Sequence, residues 1–109
     1  MTTNASTYPS KLYTMGSEAA NLAYAYCLFD GRIGYEIEMA STLIILSHDI
    51  VKAGGVVLSK EEGEDFVSMR VQLQGEPVAA INIDRVSIGE TRVSVSLCDT
   101  YSDNNSSPI

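Results

Sequence analysis

The chain has 109 residues, 45% of them hydrophobic, which is enough for one domain around one core. Fourteen acidic residues against seven basic ones give a net charge of −7 and a pI near 4.4. Because such a surface repels polyanions, the composition argues against direct binding to nucleic acid or to an anionic membrane, and it favours a protein partner with a basic surface.

Both ends of the chain are rich in Ser, Thr, Asn and Pro and poor in apolar side chains. Such segments cannot offset the entropy lost on ordering, so the sequence predicts disordered tails over 1–9 and 102–109 around a single domain over 10–101. The N-terminus lacks a positive charge and an apolar stretch, and no apolar run reaches the roughly 18 residues of a membrane helix. We therefore expect a soluble, cytoplasmic protein.

The first predicted element is a helix over residues 10–29. Its apolar side chains recur at alternating steps of three and four residues, so they share one face of a helix. The Ala-rich segment 19–25 has high helix propensity, and Asp30-Gly31 ends the element. The apolar face consists of Leu12, Met15, Ala19, Leu22, Tyr26 and Phe29.

Residues 33–38 fit two patterns. Apolar and polar side chains alternate there as in a half-buried strand, but from position 39 the apolar residues recur at helical spacing. Glu36 and Glu38 suit the first turn of a helix, and Gly54-Gly55 provides its end. We therefore favour a helix over 36–53. The alternative is a short strand over 33–38 followed by a shorter helix.

After Gly55 the apolar period changes to two residues, which predicts strands. Regular alternation of this kind is typical of antiparallel sheets with one face on the core and one in water. The predicted strands cover 56–58, 67–74, 79–84 and 92–98, and the predicted turns are 60–65, 75–77 and 89–90.

The predicted fold class is therefore α+β, in a two-layer ααββββ arrangement. Short turns between consecutive strands indicate a four-stranded antiparallel meander. The helical N-terminal half must cover its apolar face, because neither half can bury that surface alone.

A catalytic constellation is not evident in the sequence. His48 and Asp49 are adjacent on the second predicted helix, so their side chains point about 100° apart and do not form a ready acid–base pair. His48 could act as a general base near Ser47, but we favour a surface histidine, because base chemistry needs a convergent pocket. Without an export signal, Cys27 and Cys98 are expected to be free, mostly buried thiols.

No cofactor or metal is predicted. The glycines form neither a dinucleotide-binding nor a phosphate-binding pattern, and the usual zinc spacings are absent. Glu61, Glu62, Glu64 and Asp65 could hold a hard cation such as calcium, but they lack the ligand order of an EF-hand loop. We expect these acids to form a solvated hairpin tip that discourages pairing of strand edges.

Two surface features remain as candidates for binding. The polar face of the sheet carries both charges and amides, although hydration alone is the favoured explanation for it. Tyr13 and Tyr24 lie 11 residues apart and therefore project from one side of the first helix, either against the sheet rim or toward a second chain. The candidate interaction surface comprises Tyr13, Tyr24, Glu61, Glu62, Glu64, Asp65, Arg70, Gln72, Asn82, Asp84 and Arg92.

The favoured functional hypothesis is a small acidic non-enzymatic module that covers a partner protein's surface, as an adaptor, an inhibitor or an immunity or anti-defence protein. Small acidic proteins of phages and mobile elements act in this way, which is an analogy of type only. Mimicry of DNA is disfavoured because the acids are scattered. The alternatives are a homodimeric structural or chaperone-like module, and a small-ligand binder or enzyme with a helix–sheet pocket that involves His48.

Overall fold

The computed structural model describes residues 4–31 and 34–98, and it confirms the α+β class. Two helices cover one face of a four-stranded antiparallel meander whose strand order is β1-β2-β3-β4. The elements are α1 (Asn4–Phe29), α2 (Tyr35–Lys52), β1 (Val56–Glu62), β2 (Phe66–Gln72), β3 (Ala79–Ser87) and β4 (Glu90–Leu97).

Helix α1 begins at Asn4, so the predicted disordered tail over 1–9 is wrong for residues 4–9. Tyr8 is the reason, because its ring is buried and its hydroxyl donates to the Pro77 carbonyl at 2.8 Å. The same oxygen accepts the Leu73 N–H at 3.4 Å. An aromatic ring with a polar end thus anchors a segment that is otherwise poor in apolar residues. The tail predicted over 102–109 lies outside the described residues.

The start of α2 shows which of the two patterns, strand or helix, residues 35–38 adopt. Residues 35–38 are helical, which confirms the favoured helix. The alternative strand over 33–38 is therefore wrong for these residues, and residue 33 lies outside the described part. Met39, Leu46 and Ile50 are fully buried under this helix. The chain leaves it through Gly54, whose φ of 86° suits glycine.

Three strands are longer than predicted, because backbone pairing continues past the alternating apolar residues. Strand β1 runs to Glu62, so residues 60–62 belong to a strand, and the turn is confined to 63–65. Strands β3 and β4 likewise continue toward their shared turn. The register shifts between Val57 and Ser59, which places a β-bulge at Leu58 in the edge strand β1.

The core lies between the helices and the sheet. Helix α1 sits over β3 and β4, and α2 sits over β1 and β2. The approach of α1 is close at Gly16, where a Cβ would lie 3.2 Å from Val93 Cγ1 and 3.5 Å from Ile81 Cγ2. Cys27 is buried in α1 and Cys98 is half-buried, and both are free thiols as expected.

The substitution Gly55→Ala should destabilise the protein by about 1–3 kcal/mol, because overpacking forces the backbone to move. A Cβ at this position would lie 2.9 Å from the Gln72 carbonyl oxygen and 2.5 Å from Leu73 Cδ2. Gly34→Ala is the comparison variant: no atom lies within 4 Å of its added Cβ, so it should lose only the preference of the N-cap for glycine over alanine, about 1 kcal/mol or less. Urea unfolding of both variants measures the difference, and equal stabilities would contradict the close approach at Gly55.

Candidate interaction surfaces

The polar face of the sheet brings six of the predicted candidates onto one surface, Glu61 of β1 among them. Cross-strand pairing places Asp84 beside Arg92 and Ser68 beside Asn82. Arg70 lies on the same face and is exposed. Gln72 is partly used within the fold, because its Nε2 donates to the Glu76 carbonyl at 2.8 Å. These residues therefore share one face of the sheet, and one of its amides is engaged internally.

The four hairpin acids do not converge. Glu61 pairs with Ser68 on the polar face, whereas Glu62 pairs with Val67 and so lies on the helix side of the sheet. Glu64 and Asp65 occupy the turn, and the Asp65 carbonyl accepts the Arg85 N–H at 2.7 Å. Among the described residues no group of three or more His, Cys, Asp or Glu side chains could hold a metal ion.

The two predicted tyrosines have different surroundings. Tyr24 packs against the β3–β4 turn, where its Cζ and hydroxyl oxygen both lie 3.4 Å from the position of a Cβ on Gly89. Tyr13 is 50% exposed. The sequence left two alternatives for this pair, packing at the sheet rim or contact with a second chain. Tyr24 packs at the rim, whereas Tyr13 remains accessible.

His48 lies at the surface of α2, with 74% of its side chain exposed. Its Nδ1 is 3.9 Å from Asp49 Oδ1, which is beyond hydrogen-bonding distance. The buried hydroxyl of Ser47 has no hydrogen-bond partner within the described ranges. His48 therefore does not activate Ser47 in this arrangement.

A buried ion pair that was not predicted from the sequence joins α2 to β3. The Arg85 guanidinium contacts the Glu38 carboxylate through Nη2 and Oε1, and these side chains are 1% and 0% exposed. Nη1 of Arg85 also donates to the Ser87 carbonyl at 3.2 Å, and its Cζ lies 5.9 Å from the centre of the Tyr24 ring. The hydroxyl of Thr42 donates to the Glu38 carbonyl at 2.7 Å.

The alternation of β3 contains the signal for this pair. Ala79, Ile81 and Ile83 face the core, and Arg85 is the next residue in the same phase. An arginine at a core-facing position needs a buried acid, because an isolated charge is too costly to desolvate. The pair closes one end of the core and is inaccessible to a partner, so its role is structural.

A further set of residues, which we call the outer helical face, consists of large apolar side chains on α1 and α2 that remain exposed to solvent. It is apolar where a solvated helix face is normally polar. Phe29 ends α1, Ile37 lies in the first turn of α2, and the two helices contact each other. The face comprises Leu22, Tyr26, Phe29, Ile37, Ile44 and Val51, all of them exposed.

A shallow pocket of about 460 Å³ lies where α1 meets the end of β2. It is lined by Tyr8, Lys11, Gln74 and Glu76, among others. Burial raises the pKa of Tyr8 above its ordinary value of 10.0, and the Leu73 N–H opposes that shift by hydrogen bonding to the phenolic oxygen. The hydroxyl is already committed to Pro77, so its main role is to hold α1 on the loop between β2 and β3.

No protein-family model matches this chain, and neither a curated protein nor a solved structure matches it. Neither helix of residues 4–31 and 34–98 has the length and apolar character needed to cross a membrane.

Replacing one member of the Glu38–Arg85 pair should lower the free energy of unfolding much more than replacing both. Glu38→Leu or Arg85→Met leaves an uncompensated buried charge, and each should cost about 3–5 kcal/mol. The double variant should recover most of that loss, because a pair of apolar side chains needs no desolvation. Urea unfolding of the four proteins gives the coupling energy, and additive losses would contradict a direct pair.

Tyr8→Phe should cost about 1 kcal/mol at neutral pH through the lost hydrogen bond to Pro77. Since the folded pKa of Tyr8 is raised, the unfolded chain ionises first as the pH rises. The stability that depends on the neutral phenol is complete below pH 10.0 and is lost as the pH passes the folded pKa. The cost of Tyr8→Phe should therefore shrink in alkali, as measured by urea unfolding across this range. Tyr13→Phe is the control, and a cost for Tyr8→Phe that does not change with pH would count against the linkage.

Proposed function

We propose that this chain is a non-enzymatic protein-binding module, of the adaptor, inhibitor or immunity type, which covers part of a partner protein with its outer helical face. The exposure of that face carries the proposal: Phe29, Ile44 and Val51 are 89%, 69% and 62% exposed. Large apolar side chains that remain exposed on a small protein mark interaction sites where they group into a patch.

The size of the face supports binding rather than incidental exposure. Taking about 150–250 Å² for an aromatic side chain, and somewhat less for an aliphatic one, the six residues expose on the order of 600 Å². Each partner contributes roughly 800 Å² to a standard protein–protein interface. The face could therefore supply most of the apolar centre of one interface, with Tyr26 and Phe29 as its aromatic anchors.

The negative charge of the chain indicates what kind of partner surface would complement it. Glu18 precedes Leu22 by one helical turn and Asp30 directly follows Phe29, so acids lie at the margin of the apolar centre. The whole chain carries a net charge of −7. The complementary surface is apolar at its centre and basic at its rim, and association with it should be faster at low ionic strength.

The substitution Ile44→Asp should weaken this binding without unfolding the protein, because Ile44 is exposed on α2. A photo-crosslinking amino acid at position 44 identifies the partner, and affinity is then measured with both proteins purified. Ile44→Asp should weaken the complex by at least about tenfold, as expected for the centre of an interface.

Ile88→Asp is the matched control, since Ile88 is 64% exposed in the β3–β4 turn, away from the outer helical face. It introduces the same charge and should leave the affinity within about twofold of the parent protein. Equal binding by the parent and Ile44→Asp proteins would refute the assignment. A loss confined to Arg70→Asp would move the site to the polar face of the sheet.

A further inference from the structure

We propose that β4 pairs antiparallel with β4 of a second copy of this chain, to give a symmetric dimer with one continuous eight-stranded sheet. This surface is separate from the outer helical face, so the inference does not rest on the proposed function. Strand β4 lies at the edge of the sheet, and in the described part of the chain no strand pairs with its outer side.

The two edges of the sheet differ in how they are protected. Strand β1 has a bulge at Leu58 and three consecutive charges over residues 60–62, both of which discourage edge pairing. Strand β4 has neither proline nor a bulge in its own pairing from Thr91 to Leu97, and its two charges, Glu90 and Arg92, lie at one end. The remainder, residues 93–97, is a polar–apolar alternation of Val, Ser and Leu.

The backbone hydrogen bonds determine how a second strand can dock. Cys98 donates its N–H to the Val78 carbonyl, so the even-numbered residues of β4 direct their backbone groups to β3. The odd-numbered residues direct theirs to the open edge. An antiparallel partner must therefore oppose odd positions to odd positions, which puts the helices of both copies on the same side of the sheet.

One register uses every open backbone group. With the two-fold axis at Ser94, Val93 opposes Val95 and Thr91 opposes Leu97, so all four odd-numbered residues are hydrogen-bonded across the edge. Arg92 then opposes Ser96, and neither Glu90 nor Arg92 faces a like charge directly. The register is thus self-complementary in hydrogen bonds, in apolar side chains and in charge.

The helical layer fits this arrangement as well. Gly16 of α1 lies over the groove between β3 and β4, so two copies would place their α1 helices roughly 10 Å apart, the usual distance for packed helices. The half-exposed Tyr13 lies on the side of α1 that faces the open edge, next to the small side chains of Ser17 and Ala20. Pairing would therefore also cover Tyr13 and the exposed Leu97.

Engineered disulfides test this register directly. In a Cys27→Ala, Cys98→Ser background, Ser94→Cys puts the two thiols at a non-hydrogen-bonded pair on the axis, where the Cα atoms lie about 4.5 Å apart, within disulfide reach. Mild oxidation of the full chain should then give a disulfide-linked dimer. Ser96→Cys, on the same strand and the same face, is the control and should crosslink at least about tenfold more slowly, because its own copy lies four positions away.

Sedimentation equilibrium of the unmodified chain provides the second measurement. The chain should be dimeric, and Val95→Pro should shift it to monomer, since proline removes an N–H that points to the open edge and leaves the bonds to β3 intact. Circular dichroism verifies that this variant is folded. The proposal would be overturned by a monomeric parent chain or by equal crosslinking at positions 94 and 96. It would also be overturned by a dimer that is lost in Ile44→Asp but crosslinks at neither position.

Discussion

The contact between Glu38 and Arg85 determines where the helical layer meets the sheet. It is the one place among the described residues where opposite charges are buried together, and it joins the start of α2 to the end of β3. The apolar contacts elsewhere are tolerant of small shifts, because dispersion and burial have little directional preference. An ion pair in a low-dielectric site is directional and costly to separate, so it selects one position of α2 on the sheet. Tyr24 of α1 completes this end of the core above the guanidinium.

Most of the fold could be predicted from the periods of the sequence. Met69, Ile81 and Leu46 are buried where alternation or helical spacing places them, and the turn glycines Gly75 and Gly89 have the positive φ values that turns require. The structure differs from the prediction where polar groups form hydrogen bonds that the apolar pattern does not reveal. The Tyr8 hydroxyl secures a segment whose composition indicated disorder, and backbone pairing extends β1 through residues that read as a charged turn.

The candidate surface was predictable only in part. Alternation is enough to place Arg70, Asp84 and Arg92 on one face of the sheet. Helical spacing showed the apolar stripe of α1, but it could not show that Leu22, Tyr26 and Phe29 would lie outside the covered area. The width of a buried helical stripe depends on how closely the neighbouring elements pack, and this is a tertiary property. Here α1 approaches the sheet along Gly16, Ala20 and Ala23, so the larger residues at its flank remain in solvent.

The bulge at Leu58 has a consequence for how many copies can assemble. A sheet with two open edges can add strands indefinitely, and this is the route by which β-proteins grow into fibrils. Here one edge is bent and charged, so a sheet joined through β4 would present only β1 at both of its outer margins. Growth would end after a single addition and give a closed particle, so a protein with an accessible pairing strand would remain finite in size.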